Sequence, residues 1–280
     1  MIALWIILGL VALFAILFFV LTAPVYGGKM PDVRYYAHRG LHNGADIPEN
    51  TLPAFKKAVD AGYGIEFDVQ LSKDGEPVVF HDHTLARICG KEGFVENYTV
   101  SELAALAPLG QEGIGGVPTL EEVLSLIGGK VPLIIEIKAD SALYKEITQK
   151  TLAQLKEYEG EFVIESFHPG VLKIVRKANK RICRGQLCNW YSVKGKRLPI
   201  YFYVARLFLF NFLSRPHFIA YNFRNQNKFM FRLMRFLYPK CHFVAWTPTS
   251  KEHDAACQSF DALIFERYAP TQAPYGRLKK

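Results

Sequence analysis

The chain has 280 residues, with 34 Lys and Arg against 26 Asp and Glu, and half of its residues are apolar. Beyond an apolar leader about 250 residues remain, the usual size of one (β/α)8 barrel, so no second large domain is required. The five cysteines, at 89, 183, 188, 241 and 257, are an odd number without metal-ligand spacing, which argues against a disulfide framework or a zinc site and reads as reduced thiols.

Residues 2–21 are apolar throughout and no charge occurs before Lys29, which meets the roughly 20 residues needed to cross a bilayer. A cleaved signal peptide would want a basic start, and Pro24 follows Thr22-Ala23 awkwardly as an exit site. Residues 1–28 are therefore expected to form an uncleaved single-pass anchor and linker, and residues 29–280 the barrel. Lys29, Arg34 and Arg39 follow the span closely, and positive flanks are retained in the cytoplasm, so the barrel is expected in the cytosol. The reduced thiols point the same way.

Strand-like runs follow at 35–37, 64–71, 78–80, 133–137, 162–165, 182–187, 218–221, 243–246 and 262–265. These are nine candidates for eight places, so one is misread or lies outside the barrel. The helix after the first strand has a readable frame: Asn50 or Thr51 caps it, Pro53 fits its first turn, Leu52, Phe55 and Val59 make an inner stripe, and Gly62 ends it. The short turn Ser72-Lys73-Asp74-Gly75 leaves no room for a crossover helix, so the barrel is expected to be irregular there. Residues 84–117 are too long for a simple loop and carry one helical segment near 101–106, which predicts a small insertion after the third strand.

The second half of the chain is one-sided in charge. From 166 to 251 there are 17 Lys and Arg and no Asp or Glu, while the remainder holds 17 basic and 26 acidic residues. Residues 196–239 mix aromatics with spaced Arg, the composition of a segment lying in an anionic membrane interface. Residues 201–213 are apolar on too many sides for an ordinary barrel helix, which favours membrane contact, whereas 229–237 fits a core helix at least as well. Arg and aromatics also suit a nucleic-acid groove, but the anchor already assigns the chain to a lipid surface, so no nucleic-acid partner is expected.

Five short polar groups sit at or just beyond the ends of apolar strands: His38-Arg39-Gly40, Glu49-Asn50-Thr51, Glu66-x-Asp68, His81-Asp82 and Glu136-x-Lys138. Residues two apart on a strand share a face, so Glu66 stands beside Asp68 and Glu136 beside Lys138. A surface ion pair is the bland reading of each, but Ile65, Phe67 and Val69, and Leu133, Ile134, Ile135 and Ile137, read as buried parallel strands where a charge needs a reason. Three converging carboxylates imply a hard divalent cation, Mg²⁺ or Ca²⁺. Arg39 and Lys138 are donors suited to a phosphate, and His38 and His81 are suited to move protons. Among the other histidines only His42 and His83 stand close enough in sequence to reach a substrate.

The run YYAHRGLHNGADIPENTLPAFKKAVDAGYGIEFDVQLSKDGEPVVFHD, residues 35–82, resembles the opening of the glycerophosphodiester phosphodiesterase family, and LIIEIK, residues 133–138, resembles its next site strand. The resemblance implies a TIM-type barrel with His38 and His81 as the catalytic pair, Glu66, Asp68 and Glu136 as metal ligands, and Arg39 and Lys138 as phosphate ligands. It also implies that the insertion walls the glycerol side of the pocket. Glu165-Ser166-Phe167 and Val244-Ala245-Trp246-Thr247 resemble weaker motifs of the family, and Asn50 and Trp246 are assigned to the substrate pocket. Where the family ends its barrel on Thr-Asp-x-Pro, this chain reads Phe265-Glu266-Arg267-Tyr268.

The activity so implied is metal-dependent cleavage of a glycerophosphodiester to glycerol 3-phosphate and an alcohol. In it one histidine deprotonates a glycerol hydroxyl, the other protonates the departing alcohol, and water opens the cyclic intermediate. Two rivals stand beside it: a lysophospholipase D acting on lysophospholipid at the membrane, and an inactive membrane scaffold or lipid sensor. A scaffold would need none of the seven buried polar residues.

Overall fold

A computed structural model describes residues 1–44, 46–111, 113–139, 142–192 and 197–270. The last ten residues of the expected barrel, and Lys196 of the basic aromatic segment, lie outside them. Among the described residues there are nine strands: β1 (Tyr35–His38), β2 (Gly64–Leu71), β3 (Pro77–Val79), β4 (Leu133–Ile137), β5 (Phe162–Ser166), β6 (Arg184–Cys188), β7 (Phe218–Asn222), β8 (His242–Trp246) and β9 (Ala262–Phe265). Eight of them close into a parallel barrel in the order β1-β2-β4-β5-β6-β7-β8-β9, with β9 pairing back onto β1. The ninth candidate resolves here: β3 pairs antiparallel with β2 and lies outside the ring. The 72–75 turn makes a hairpin, with Ser72 N donating to Glu76 O, and a hairpin cannot supply the next parallel strand.

The helices are α1 (Ile2–Thr22), α2 (Leu52–Asp60), α3 (Ala86–Cys89), α4 (Val100–Ala104), α5 (Leu120–Ile127), α6 (Tyr144–Leu155), α7 (Pro169–Ala178), α8 (Ile200–Arg206), α9 (Asn211–Ser214), α10 (Phe229–Leu237) and α11 (His253–Ser259). Of the two cap candidates for α2, Thr51 takes the role: its hydroxyl accepts from Ala54 N. The buried stripe of α2 is Ala54, Phe55 and Ala58, with Leu52 and Val59 only half-buried. The small alanines let the helix pack closely against the loop at Gly40, which shifts the contact line from the expected one. Residues 201–213 do not form one helix but the short pair α8 and α9, and 229–237 is α10, whose Met230, Phe231 and Met234 are buried.

Two apolar layers hold the barrel. Between strands and helices pack Phe55, Ile65, Phe67, Ile135, Ile137 and their neighbours. Inside the ring, alternate strand residues Tyr36, Ile134, Val163, Phe218, Val244 and Ile264 fill the core, closed below by Met30 and Val33. A side chain at Gly185 would stand 2.1 Å from the Phe218 ring, so β6 can carry no Cβ at that position. The insertion has its own small core of Val78, Phe80, Leu85, Val95, Leu103 and Val117, and α5 then leads into β4.

The N-terminal helix, α1, carries only apolar residues up to the buried Thr22 and is exposed along its length except at Phe18 and Leu21, which are half-buried. It is long and apolar enough to cross a membrane. All five cysteines are free.

Candidate active site

Parallel pairing sets the site. His38 pairs with Glu66, Asp68 with Glu136, and Glu136 with Glu165, and paired residues of neighbouring parallel strands point to the same side of the sheet. The inward face of β1, β2, β4 and β5 therefore turns from hydrocarbon to charge at its C-terminal end. Lys138 and Glu266 lie one residue beyond β4 and β9, and His81 lies just beyond β3. A cavity of about 380 Å³ opens there, lined by His38, Arg39, Glu66, His81, Glu136, Lys138, Glu165, Phe167, Trp246 and Glu266, among others.

Glu66, Asp68 and Glu136 are buried and each offers an oxygen within 4.8 Å of the others'. Lys138 Nζ lies 2.9 Å from Asp68 Oδ1 and 3.0 Å from Glu136 Oε2. The Arg39 amide donates to Glu66 Oε2 at 3.1 Å, its Nη1 to Glu49 Oε1 at 2.6 Å, and its Nε lies 3.5 Å from Asp68 Oδ2. Arg39 holds this position with φ +55°, followed by Gly40 at φ +82°. A Cβ on Gly40 would meet the Ala54 backbone at 2.9 Å, so the glycine lets the loop turn against α2.

The electrostatics follow from burial. Burial raises Asp68, but Lys138 and Arg39 outweigh it and hold the carboxyl well below its usual range. Glu66 is pushed well above its ordinary value by burial and by Asp68, Glu165 and Glu136. Burial also raises Glu136 to about 7 although Lys138 opposes it, and raises Glu165 well above the carboxylate range with help from Glu136. Glu165 Oε2 is buried without a hydrogen-bond partner. Four carboxyl groups thus face two cationic side chains, and the all-oxygen donor set of Glu66, Asp68 and Glu136 fits a hard divalent cation.

Each histidine is held by a carboxylate. His81 Nδ1 lies 2.6 Å from Asp82 Oδ1, which leaves Nε2 for the cavity. His38 Nδ1 lies 3.3 Å from Glu266 Oε1, and its Nε2 lies 3.8 Å from Glu66 Oε2. Burial, then Arg39, lowers His38 to about 4. Burial lowers His81 as well, with Lys138 and Arg39 adding to it, so both rings are neutral near pH 7.

A second layer of ion pairs was not foreseen from the sequence. Arg87, on α3 of the insertion, donates from Nε to Asp82 Oδ2 at 2.5 Å and from Nη2 to Asp82 Oδ1 at 3.0 Å. The same guanidinium donates to both oxygens of Glu49, at 3.0 and 2.7 Å. One cation thus links the carboxylate that holds His81 to the carboxylate that holds Arg39.

The structure brings His38, His81, Arg39, Lys138, Glu66, Asp68, Glu136 and Trp246 to one place. Asn50 stands apart: it is buried behind Asp68 and donates from Nδ2 to Asp68 Oδ2 at 3.0 Å, on the insertion side rather than on the cavity wall. His42 is buried with Nε2 3.6 Å from Glu266 Oε1, and His83 lines a neighbouring cavity. The sequence places Glu49 and Asp82 in the polar groups and Glu165 in a weaker motif without giving any of them a role, and it gives no place in the site to Glu266 or Arg87. For Glu165 the signal was its position at the end of an apolar strand, like Glu136. For Glu266 it was the departure at 265–268, where a carboxylate takes hold of His38 and His42 and is drawn well below its ordinary range by them.

Comparison with known proteins agrees with this geometry. Residues 38–208 match the glycerophosphoryl diester phosphodiesterase family. A glycerophosphodiester phosphodiesterase of Caldanaerobacter subterraneus is 40% identical over 187 residues, 63% of this chain and 76% of that protein. One from Bacillus altitudinis is 36% identical over 153 residues, 51% of this chain and 62% of that protein. Among solved structures, the glycerophosphodiester phosphodiesterase of Thermotoga maritima superposes with a TM-score of 0.63 at 28% identity, covering 85% of this chain and 96% of that one. An Oleispira antarctica phosphodiesterase, solved with the product sn-glycerol-3-phosphate, shares the fold with a TM-score of 0.67 at 23% identity, covering 84% of this chain and 93% of that one. The chain therefore belongs to the glycerophosphoryl diester phosphodiesterase family and is a phosphoric diester hydrolase.

Proposed function

We propose that this barrel is a membrane-anchored, metal-dependent hydrolase that cleaves glycerophosphodiesters to glycerol 3-phosphate and an alcohol. The observation that carries the reading is two histidines, each oriented by its own carboxylate, on the rim of a cavity that also presents Glu66, Glu136, Arg39 and Lys138, with Asp68 within reach of both glutamates. Glu66, Asp68 and Glu136 are the metal ligands in this reading. Mg²⁺ or Ca²⁺ bound there supplies Lewis acidity toward phosphoryl and hydroxyl oxygens.

The chain's own residues do the rest. Arg39 and Lys138 offset charge on the phosphoryl oxygens. One histidine accepts the proton of the attacking hydroxyl at its free ring nitrogen, and the other, which takes up a proton on its free ring nitrogen as the anionic diester binds, returns that proton to the leaving oxygen; in each ring Nδ1 is fixed by a carboxylate. Trp246 Nε1 is buried without a hydrogen-bond partner and lines the cavity. A bound diester that accepted from it would relieve the cost of that orphaned donor, which supports Trp246 as a pocket residue.

A second substrate reading rests on a cavity of about 640 Å³ that shares His81, Glu136, Lys138 and Phe167 with the first and is walled by Tyr191, Tyr201 and Phe202. Such aromatic walls suit a larger apolar alcohol, as in a lysophospholipid. Assaying the purified full chain against glycerophosphocholine, glycerophosphoethanolamine and lysophosphatidylcholine, with Mg²⁺ and Ca²⁺ in turn, tests both. Release of glycerol 3-phosphate supports the first reading, release of choline from the lysophospholipid supports the second, and no turnover of any of the three refutes both.

Residues 1–28 are the anchor and linker, 29–280 the barrel and 84–117 its insertion. The catalytic domain is cytosolic: positive flanks act on the chain as it inserts, so Arg34 and Arg39 count toward topology although folding buries Arg34 and places Arg39 in the site. Protease added to intact cells tests this, since digestion of the barrel without lysis would place it outside.

A further inference from the structure

The outer surface beside the N-terminal helix has a composition that catalysis does not use. Thr22, at the end of α1, is fully buried. Its carbonyl accepts from Asn211 Nδ2 of α9 at 2.7 Å, and its Oγ lies 2.8 Å from the hydroxyl of Tyr238, which follows α10. The Tyr238 hydroxyl donates to Phe19 O at 3.0 Å, and Val25 N donates to Pro216 O at 2.7 Å. The exit of α1 is thus pinned to α9 and to the end of α10.

Beside those pins stand exposed aromatics. Phe212 follows Asn211 and is 40% exposed; Phe236, two residues before Tyr238, is 81% exposed, and Phe229 is 74% exposed. Phe229, Arg232 and Phe236 fall at helical spacing on one outer stripe of α10, while the opposite stripe of Met230, Phe231 and Met234 meets the core. Arg235 and Lys240 flank the stripe, and no Asp or Glu occurs between 166 and 251. Large aromatic side chains exposed on one outer face call for a partner, and aromatics interleaved with basic residues match an anionic lipid surface.

We propose that the outer stripe of α10, with Phe212 of α9, is a contact surface for an anionic bilayer. This rests on the reading of α1 as a membrane span. Phe229 and Phe236 are seven residues apart, about 10 Å along the helix, so seating both at the interface lays α10 parallel to the membrane. Barrel helices run beside their strands, so the barrel lies on its side and its mouth opens along the membrane surface.

The test is hydrogen exchange of the full chain in three settings: nanodiscs of phosphatidylcholine, nanodiscs of phosphatidylcholine with phosphatidylglycerol, and detergent. Amides of α9 and α10 are expected to exchange more slowly in the anionic discs than in the other two. That protection should be lost at about 1 M salt, where the screening length falls to about 3 Å, and in an Arg232→Glu/Lys240→Glu variant. Equal exchange in all three settings overturns the proposal. So does protection in detergent that rises with protein concentration, since a second copy would then cover the face. The anchor is read separately by flotation with vesicles after a high-salt alkaline wash, where loss of the chain from the lipid refutes the span.

Discussion

Replacing Glu49 by Gln removes one charge from between Arg39 and Arg87 and keeps the size of the side chain. Glu49 is 7% exposed and accepts from Arg39 at 2.6 Å and from Arg87 at 2.7 and 3.0 Å. Burial opposes its ionisation, but the two guanidinium groups outweigh burial and bring it from 4.5 to about 2. A carboxyl held that far below its free value contributes about 3 kcal/mol at pH 7. The unfolded chain binds the proton first as pH falls, so the contribution is full above about pH 4.5, falls to about 1 kcal/mol near pH 3, and is gone once pH drops below about 2. Glu49→Gln should therefore lower Tm by roughly 6–12 °C at pH 7, and by much less near pH 3. Melting curves of wild type and variant, in the same detergent at both pH values, measure this. An unchanged Tm at pH 7, or a gap as wide at pH 3 as at pH 7, would refute the assignment of Glu49 as the ionised hub of the two arginines.

His38→Ala and His81→Ala should each lower kcat by about a hundredfold or more with a near-normal Tm; near-normal turnover would remove that histidine from the mechanism. Chelation should abolish activity and lower Tm, because three crowded carboxylates then repel and a cation that binds only the folded state stabilises it by mass action; activity in a thoroughly chelated sample would sink the metal-dependent reading. Arg87→Ala should lower kcat/KM by about tenfold, since its charge-assisted hydrogen bonds are half exposed and worth about 1–2 kcal/mol in placing His81 and Arg39. Arg87→Lys should not restore it, because an ammonium cannot span Asp82 and Glu49 together; full rescue by Lys would show that charge alone matters.

The sequence by itself determined the local parts. The strands 64–71, 133–137 and 262–265 carry their observed bounds because apolar runs, continuous or alternating with polar residues that face the site, have one economical home, a buried parallel strand whose end meets the site. The pairing of Glu66 with Asp68 on one face followed from the period of two, and the start of α2 at 50–51 from its two cap candidates, between which the structure chose Thr51, whose hydroxyl accepts from Ala54 N. Tertiary structure decided what depends on neighbours distant in the chain. It put β3 outside the ring, because closure of β2 onto β4 leaves no place for an antiparallel strand. It gave His38 a carboxylate from Glu266, 228 residues away, and tied Asp82 to Glu49 through Arg87. It moved Asn50 behind Asp68, because a short side chain at the start of α2 meets the back of the carboxylate before it reaches the cavity. Periodicity fixes which way a side chain points, but ring closure fixes what it meets.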